Sequence, residues 1–166
     1  MKLVAAIAAL VVGFVVPTIA FPWFEWSGLL GTDPYMRLAR VERWHETGDW
    51  TESVHPRVAW PEGASLHWTR PLDVVLRAGG AALSPWLGFH DGLRVFSYVV
   101  NPICLFLALL ALDRTLRRRL DATRRFLLVA LLPLQPAVMA YSTAPRIDHH
   151  AALLAGLCLA VGWLVR

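Results

Sequence analysis

The strongest constraint on this chain is an absence: residues 3–24 carry no charged side chain. In a helix rising about 1.5 Å per residue, such a run covers a bilayer core of about 30 Å. Three further apolar blocks follow, at 95–112, 126–145 and 151–166, the last charged only at Arg166. With 57% hydrophobic residues, 17% charged residues and a mean hydropathy of +0.50, a disordered chain is excluded and a soluble globular one disfavoured. The expected fold is an all-α integral membrane protein, a polytopic bundle of about four transmembrane helices in one domain covering 1–166. Its last block runs to Arg166 without a following loop, so a partial chain is expected.

Lys2, the apolar stretch and Thr18-Ile19-Ala20 also fit a cleaved signal peptide. The run is long for that, and Trp23 and Trp26 suit a membrane interface, which favours an anchor. Pro17, Pro102, Pro133 and Pro136 fall inside or beside apolar blocks. Such prolines are tolerated where neighbouring segments satisfy the carbonyls they free. Cys104 and Cys158 lie within apolar blocks without metal-ligand spacing and read as small buried hydrophobes.

Residues 113–125 hold six arginines. A net charge of +4 and a pI of about 9.7 would suit nucleic acid, but the positive-inside rule explains this cluster without it. No nucleic-acid partner is expected; membrane lipids are. With 113–125 and Lys2 cytoplasmic, the loop 25–94 and the turn 141–150 face outward. The expected location is a bacterial inner (plasma) membrane, with the site on the periplasmic side.

The outer loop contains eight aromatic residues, too many for a disordered linker of that length. Thr32-Asp33-Pro34 opens like a helix start. The following spacing places Tyr35, Leu38, Val41 and Trp44 on one face of an amphipathic helix, with Arg37, Arg40 and Arg43 opposite, ending at Gly48. Pro56, Pro61 and Gly63 mark turns, and a second apolar helix is expected over about 72–83.

The second outward segment ends in Arg146-Ile147-Asp148-His149-His150. An acidic residue at the mouth of a membrane helix needs a partner or water. Asp148 and His150 point the same way in an extended or turn segment; in a regular helix they diverge by about 200°. Carboxylate and imidazole suit Mn²⁺, Mg²⁺ or Zn²⁺, and two ligands alone do not choose. Helix capping by Asp33 and by Asp148 is the plain alternative. Two carboxylates, a histidine and the arginines Arg37 and Arg146 on one outer surface suit a metal ion and a phosphate, since guanidinium matches phosphate oxygens bidentately.

Thr32-Asp33-Pro34-Tyr35-Met36-Arg37-Leu38-Ala39-Arg40 is similar to the first acidic motif of the GT-C membrane glycosyltransferases, and Arg146-Ile147-Asp148-His149-His150 resembles the Asp-His-His variant of the second. Within that family the chain most resembles the N-terminal part of the oligosaccharyltransferase catalytic subunits, with 61–72 similar to a Pro-Gly and Trp-Pro segment of their first loop. The resemblance implies transfer of a sugar or glycan from a polyprenyl-phosphate-linked donor to a protein or glycan acceptor at the outer membrane face. It implies Asp33 and Asp148 as catalytic residues, with Asp33, Asp148 and His150 holding Mn²⁺ or Mg²⁺. It further implies Arg37 and Arg146 at the donor phosphate, and His149 and Tyr35 nearby. The family's later spans, later acidic residue and soluble domain with its Trp-Trp-Asp motif are not found in these 166 residues.

Two other classes stand as alternatives. One is a non-enzymatic membrane subunit or small ion- or proton-coupled transporter using Asp148 and the histidines, although transporter acids sit nearer the midplane. The other is a scaffold in which both aspartates are caps. His45, His67 and His90 read as surface residues, and Trp44, Trp50, Trp60 and Trp68 as interface anchors rather than sugar platforms. Ser142 and Thr143 lack a base at useful spacing, and nothing selects Asp49, Glu52 or Glu62 as a further ligand.

Overall fold

A computed structural model describes residues 2–20, 28–29, 31–51, 54–55, 61–65, 70–144, 146–147 and 149–164. The architecture is helical: α1 (Lys2–Leu10), α2 (Val16–Ala20), α3 (Thr32–Thr47), α4 (Pro71–Leu87), α5 (Phe89–Leu116), α6 (Ala122–Leu131), α7 (Pro136–Ser142) and α8 (His149–Leu164). A π-helical turn, Val11–Val15, joins α1 to α2, and a 3₁₀ turn, Leu132–Leu134, follows α6. The described extended pairing is a two-residue antiparallel ladder, β1 (Val54–His55) with β2 (Ala64–Ser65), Val54 opposite Ser65.

The chain divides into two compact units, Met1–Gly31 with Ser97–Arg166, and Thr32–Phe96. In the first, Ala5, Ala9 and Gly13 recur every fourth residue and are all buried. Small residues at that spacing let helix backbones approach closely. A Cβ on Gly13 would overlap the Pro102 ring of α5, so the approach there depends on glycine. Ala5, Ala9 and Val12 pack with Leu105, Leu109 and Val129, which ties the first helix to α5 and α6. Pro17 has no N–H to give the Gly13 carbonyl four residues earlier. Ala144 N–H donates to that carbonyl instead, at 2.8 Å, so a neighbouring segment satisfies what the proline leaves open.

Among the described residues, one helix is long and apolar enough to cross a membrane: α5, with 28 residues. It exceeds the expected 95–112 at both ends, running from Phe89 to Leu116. The expected third span at 126–145 is instead broken. Pro133 and Pro136 interrupt the hydrogen-bond ladder, and α6 with its 3₁₀ turn meets α7 at a 64° bend. Lys2–Thr18 and His149–Leu164 are shorter apolar helices. The end of the expected first span, 21–24, lies outside the described residues.

In the second unit α3 packs on α4 through Leu38, Val41, Leu72 and Leu76, all buried. The second loop helix begins at Pro71 and continues past the expected 83 to Leu87. Gly88, at φ +77°, then reverses the chain into α5. Gly79 and Gly80 lie against Phe96 and Leu93, and a Cβ at Gly79 would fall inside the Phe96 ring.

Candidate functional site

Asp33 lies in the first turn of α3 and is exposed. The Thr32 hydroxyl is 3.5 Å from its Oδ1. At i, i+4 spacing Arg37 would be the ordinary partner of Asp33. The structure gives Arg37 another: its Nη1 donates to Asp73 Oδ1 at 2.8 Å, in a pair where the side chains are 4% and 1% exposed. Arg40 reaches the other carboxylate oxygen of Asp73, Nη2 to Oδ2, at 2.5 Å. One carboxylate thus sits between two guanidinium groups.

This corrects part of the expected orientation of α3: Leu38 and Val41 are buried and Arg43 is exposed as expected, but Arg37 and Arg40 are buried too. Its buried face is Pro34, Arg37, Leu38, Arg40 and Val41, while Tyr35 is exposed. The stripe Pro34, Arg37, Leu38, Val41 has i, i+3, i+4, i+7 spacing, rotated by one residue from the purely apolar choice. The arginines turn inward because Asp73, in the first turn of α4, compensates them. Burial pushes the Asp73 carboxyl above the ordinary carboxylate value against the pull of Arg40 and Arg37. Burial likewise lowers Arg40, against the attraction of Asp73.

Two tryptophans of the same unit are braced by cations. Trp44 and Trp50 meet edge to face at 5.0 Å, with Arg77 4.6 Å from the Trp44 ring and Arg70 5.6 Å from the Trp50 ring. Each ring face holding an arginine gains cation–π attraction and is not open for a sugar. His45 stacks on Phe89 at 3.5 Å, and His90 Nδ1 lies 2.6 Å from Glu42 Oε1. His67, Trp60, Trp68 and Glu52 lie outside the described residues.

In the first unit, the segment from Tyr141 to Arg146 is folded around Asn101. This fully buried amide donates from Nδ2 to the Tyr141 carbonyl at 3.0 Å and to the Arg146 carbonyl. The Arg146 guanidinium lies 4.5 Å from the Tyr141 ring centre, and His150 stacks on the same tyrosine at 4.3 Å. His149 and His150 are 4.4 Å apart, ring to ring. Asp148 lies outside the described residues; α8 begins at His149, earlier than the expected 151. No group of three or more His, Cys, Asp or Glu side chains among the described residues is arranged to hold a metal ion.

Asp73 and Asn101 are the residues that sequence reasoning passed over. Asp73 carried a signal, an acid two residues after a helix-starting proline and within an apolar run. Asn101 carried one too, as the polar residue of an otherwise apolar block. Comparison with protein-family models, with curated proteins and with solved structures finds no match to this chain.

Proposed function

We propose that this chain is a polytopic membrane protein of the GT-C glycosyltransferase type, resembling the N-terminal part of oligosaccharyltransferase catalytic subunits. Support for the membrane reading comes from α5 and from the apolar exterior of the neighbouring helices. Leu3, Ile7 and Leu10 of α1, Leu127, Leu128 and Leu131 of α6, and Leu153, Leu157 and Trp163 of α8 are all exposed. Contiguous apolar surface of this kind is what lipid covers and water does not. The arginines of 113–125 set that end cytoplasmic and the 25–94 loop outside.

The proposed reaction transfers a sugar or glycan from a polyprenyl-phosphate-linked donor to a protein or glycan acceptor at the outer face. One observation carries it: Asp33 is an exposed carboxylate on a helix anchored by a buried ion cluster, with its natural i+4 partner turned away to Asp73. That arrangement holds an acid in place without neutralising it. Asp33, Asp148 and His150 are assigned as donors to Mn²⁺ or Mg²⁺, whose charge would offset that of the donor's phosphate. Arg146 is assigned to the phosphate itself. Arg37, engaged with Asp73, is reassigned as a positioning residue for α3.

The test is transfer from a lipid-linked glycan by the native full-length protein carrying Asp33→Asn or Asp148→Asn, with Mn²⁺ present. Each substitution is expected to lower the rate by about a hundredfold or more, with thermal stability unchanged at the exposed Asp33. Wild-type rates in both variants would sink the proposal.

A further inference from the structure

At the arginine-rich end of the first unit, the last turns of α5, the 117–119 turn and the end of α8 border a half-open cavity of about 460 Å³. Its lining includes Arg114, Arg117, Arg118 and Arg119 on one side and Cys158, Leu159 and Trp163 on the other. We propose that this cavity binds the phosphate headgroup of an anionic phospholipid, with the acyl chains running along α8. The proposal rests on the membrane reading above and not on glycosyl transfer.

Three observations carry it. The first is charge: among the described residues no carboxylate lines the cavity, and the two acids of 113–125 are engaged elsewhere. Asp113 pairs with Arg125, Oδ1 to Nε, at 2.9 Å. Asp121 caps α6 by accepting from the Arg124 N–H at 2.9 Å, and pairs with the Arg124 side chain at 3.3 Å. The second is the lining itself. A bare phosphate has no use for Leu159 and Trp163, whereas a lipid headgroup with its glycerol and first methylenes fills both sides. The volume lies within the range of about 300–1,000 Å³ usual for small-molecule sites and far exceeds one phosphate. The third is construction. A Cβ on Gly162 would strike the Thr115 hydroxyl, so glycine lets α8 close on α5 at the cavity wall. Thr115 is held by its bond to the Ala111 carbonyl at 2.8 Å. The positive-inside rule accounts for arginines at this end, but not for their lining a half-open amphipathic cleft against α8. Basic pockets between membrane helices on the cytoplasmic side are recurrent headgroup sites.

Native mass spectrometry of the full-length protein in neutral detergent, titrated with phosphatidylglycerol, phosphatidylcholine or inorganic phosphate, tests the assignment. Saturable binding of one phosphatidylglycerol is expected, without binding of phosphatidylcholine and without competition from equimolar phosphate. The triple variant Arg114→Gln, Arg117→Gln, Arg118→Gln is expected to weaken binding on the order of a hundredfold, about fivefold per arginine. Leu159→Trp, which fills the cavity and keeps every arginine, is expected to weaken it as well. Binding by Leu159→Trp equal to wild type would place the lipid on surface charge alone and overturn the cavity assignment. Equal competition by phosphate, or tighter binding of an acidic peptide, would overturn the lipid. Resistance of the protein to alkaline carbonate extraction tests the membrane reading separately, so its failure is distinguishable from failure of the cavity.

Discussion

Where the first unit buries a polar side chain beside its 141–147 segment, it uses a neutral amide, Asn101, bonded to the Tyr141 and Arg146 carbonyls. Where the second unit buries polar side chains it uses full charge, with Asp73 between Arg37 and Arg40. The two solutions suit different solvents. An amide bonded to backbone carbonyls carries no net charge into an apolar surrounding, and its penalty is that of a polar group alone. A charged cluster costs several kcal/mol per ion to desolvate, and attraction between the partners offsets this only in close geometry. Charge therefore needs the close partners that the second unit supplies, whereas the neutral amide needs only two backbone carbonyls. The contrast also separates two ways of positioning a site: one locks a helix start, the other folds a turn.

The largest effect should come from breaking the charged solution at one member. Asp73→Ala leaves two guanidinium groups buried without their carboxylate and is expected to cost about 3–5 kcal/mol in denaturant unfolding followed by tryptophan fluorescence. The comparison sharpens with Arg37→Met, Arg40→Met and Asp73→Leu combined, which should recover most of that loss, because an apolar cluster needs no compensation. Asn101→Ala removes a neutral amide that donates two hydrogen bonds and should cost about 1–3 kcal/mol by the same assay. A loss equal to that of Asp73→Ala would mean that charge is not what distinguishes the two regions. The smallest effect is expected at the exposed His90–Glu42 pair, where Glu42→Gln should change stability by less than about 1 kcal/mol.

Sequence reasoning reached the helical class, the start of α3 at Thr32 and its end before Gly48 because these rest on local chemistry. Apolar run length, a capping-type residue before proline and a left-handed glycine act within a few residues. It placed Leu38 and Val41 on the buried face of α3 but missed that Arg37 and Arg40 join them, because an arginine counts as polar until a compensating acid is known. That acid is 36 residues away in Asp73. The break of the third apolar block was foreshadowed by Pro133 and Pro136, but its 64° bend depends on what packs beside it. Of the candidate site, Asp33 stands where its motif suggested, exposed in a first helical turn. Arg37 does not stand open to a phosphate, since Asp73 holds it.

Composition and pattern alone determined that this chain is helical, that most of its charge falls in 113–125 and the 25–94 loop, and where α3 and α4 begin. Those are properties of short windows, in which hydrophobicity and capping act on neighbours. Only tertiary structure decided that Arg37 and Arg40 turn inward to Asp73, that Asn101 ties the 141–146 turn, and that Ala144 answers the carbonyl freed by Pro17. Each is a pairing between residues distant in sequence. Its energy exists only once packing has excluded water and brought donor and acceptor within hydrogen-bond reach.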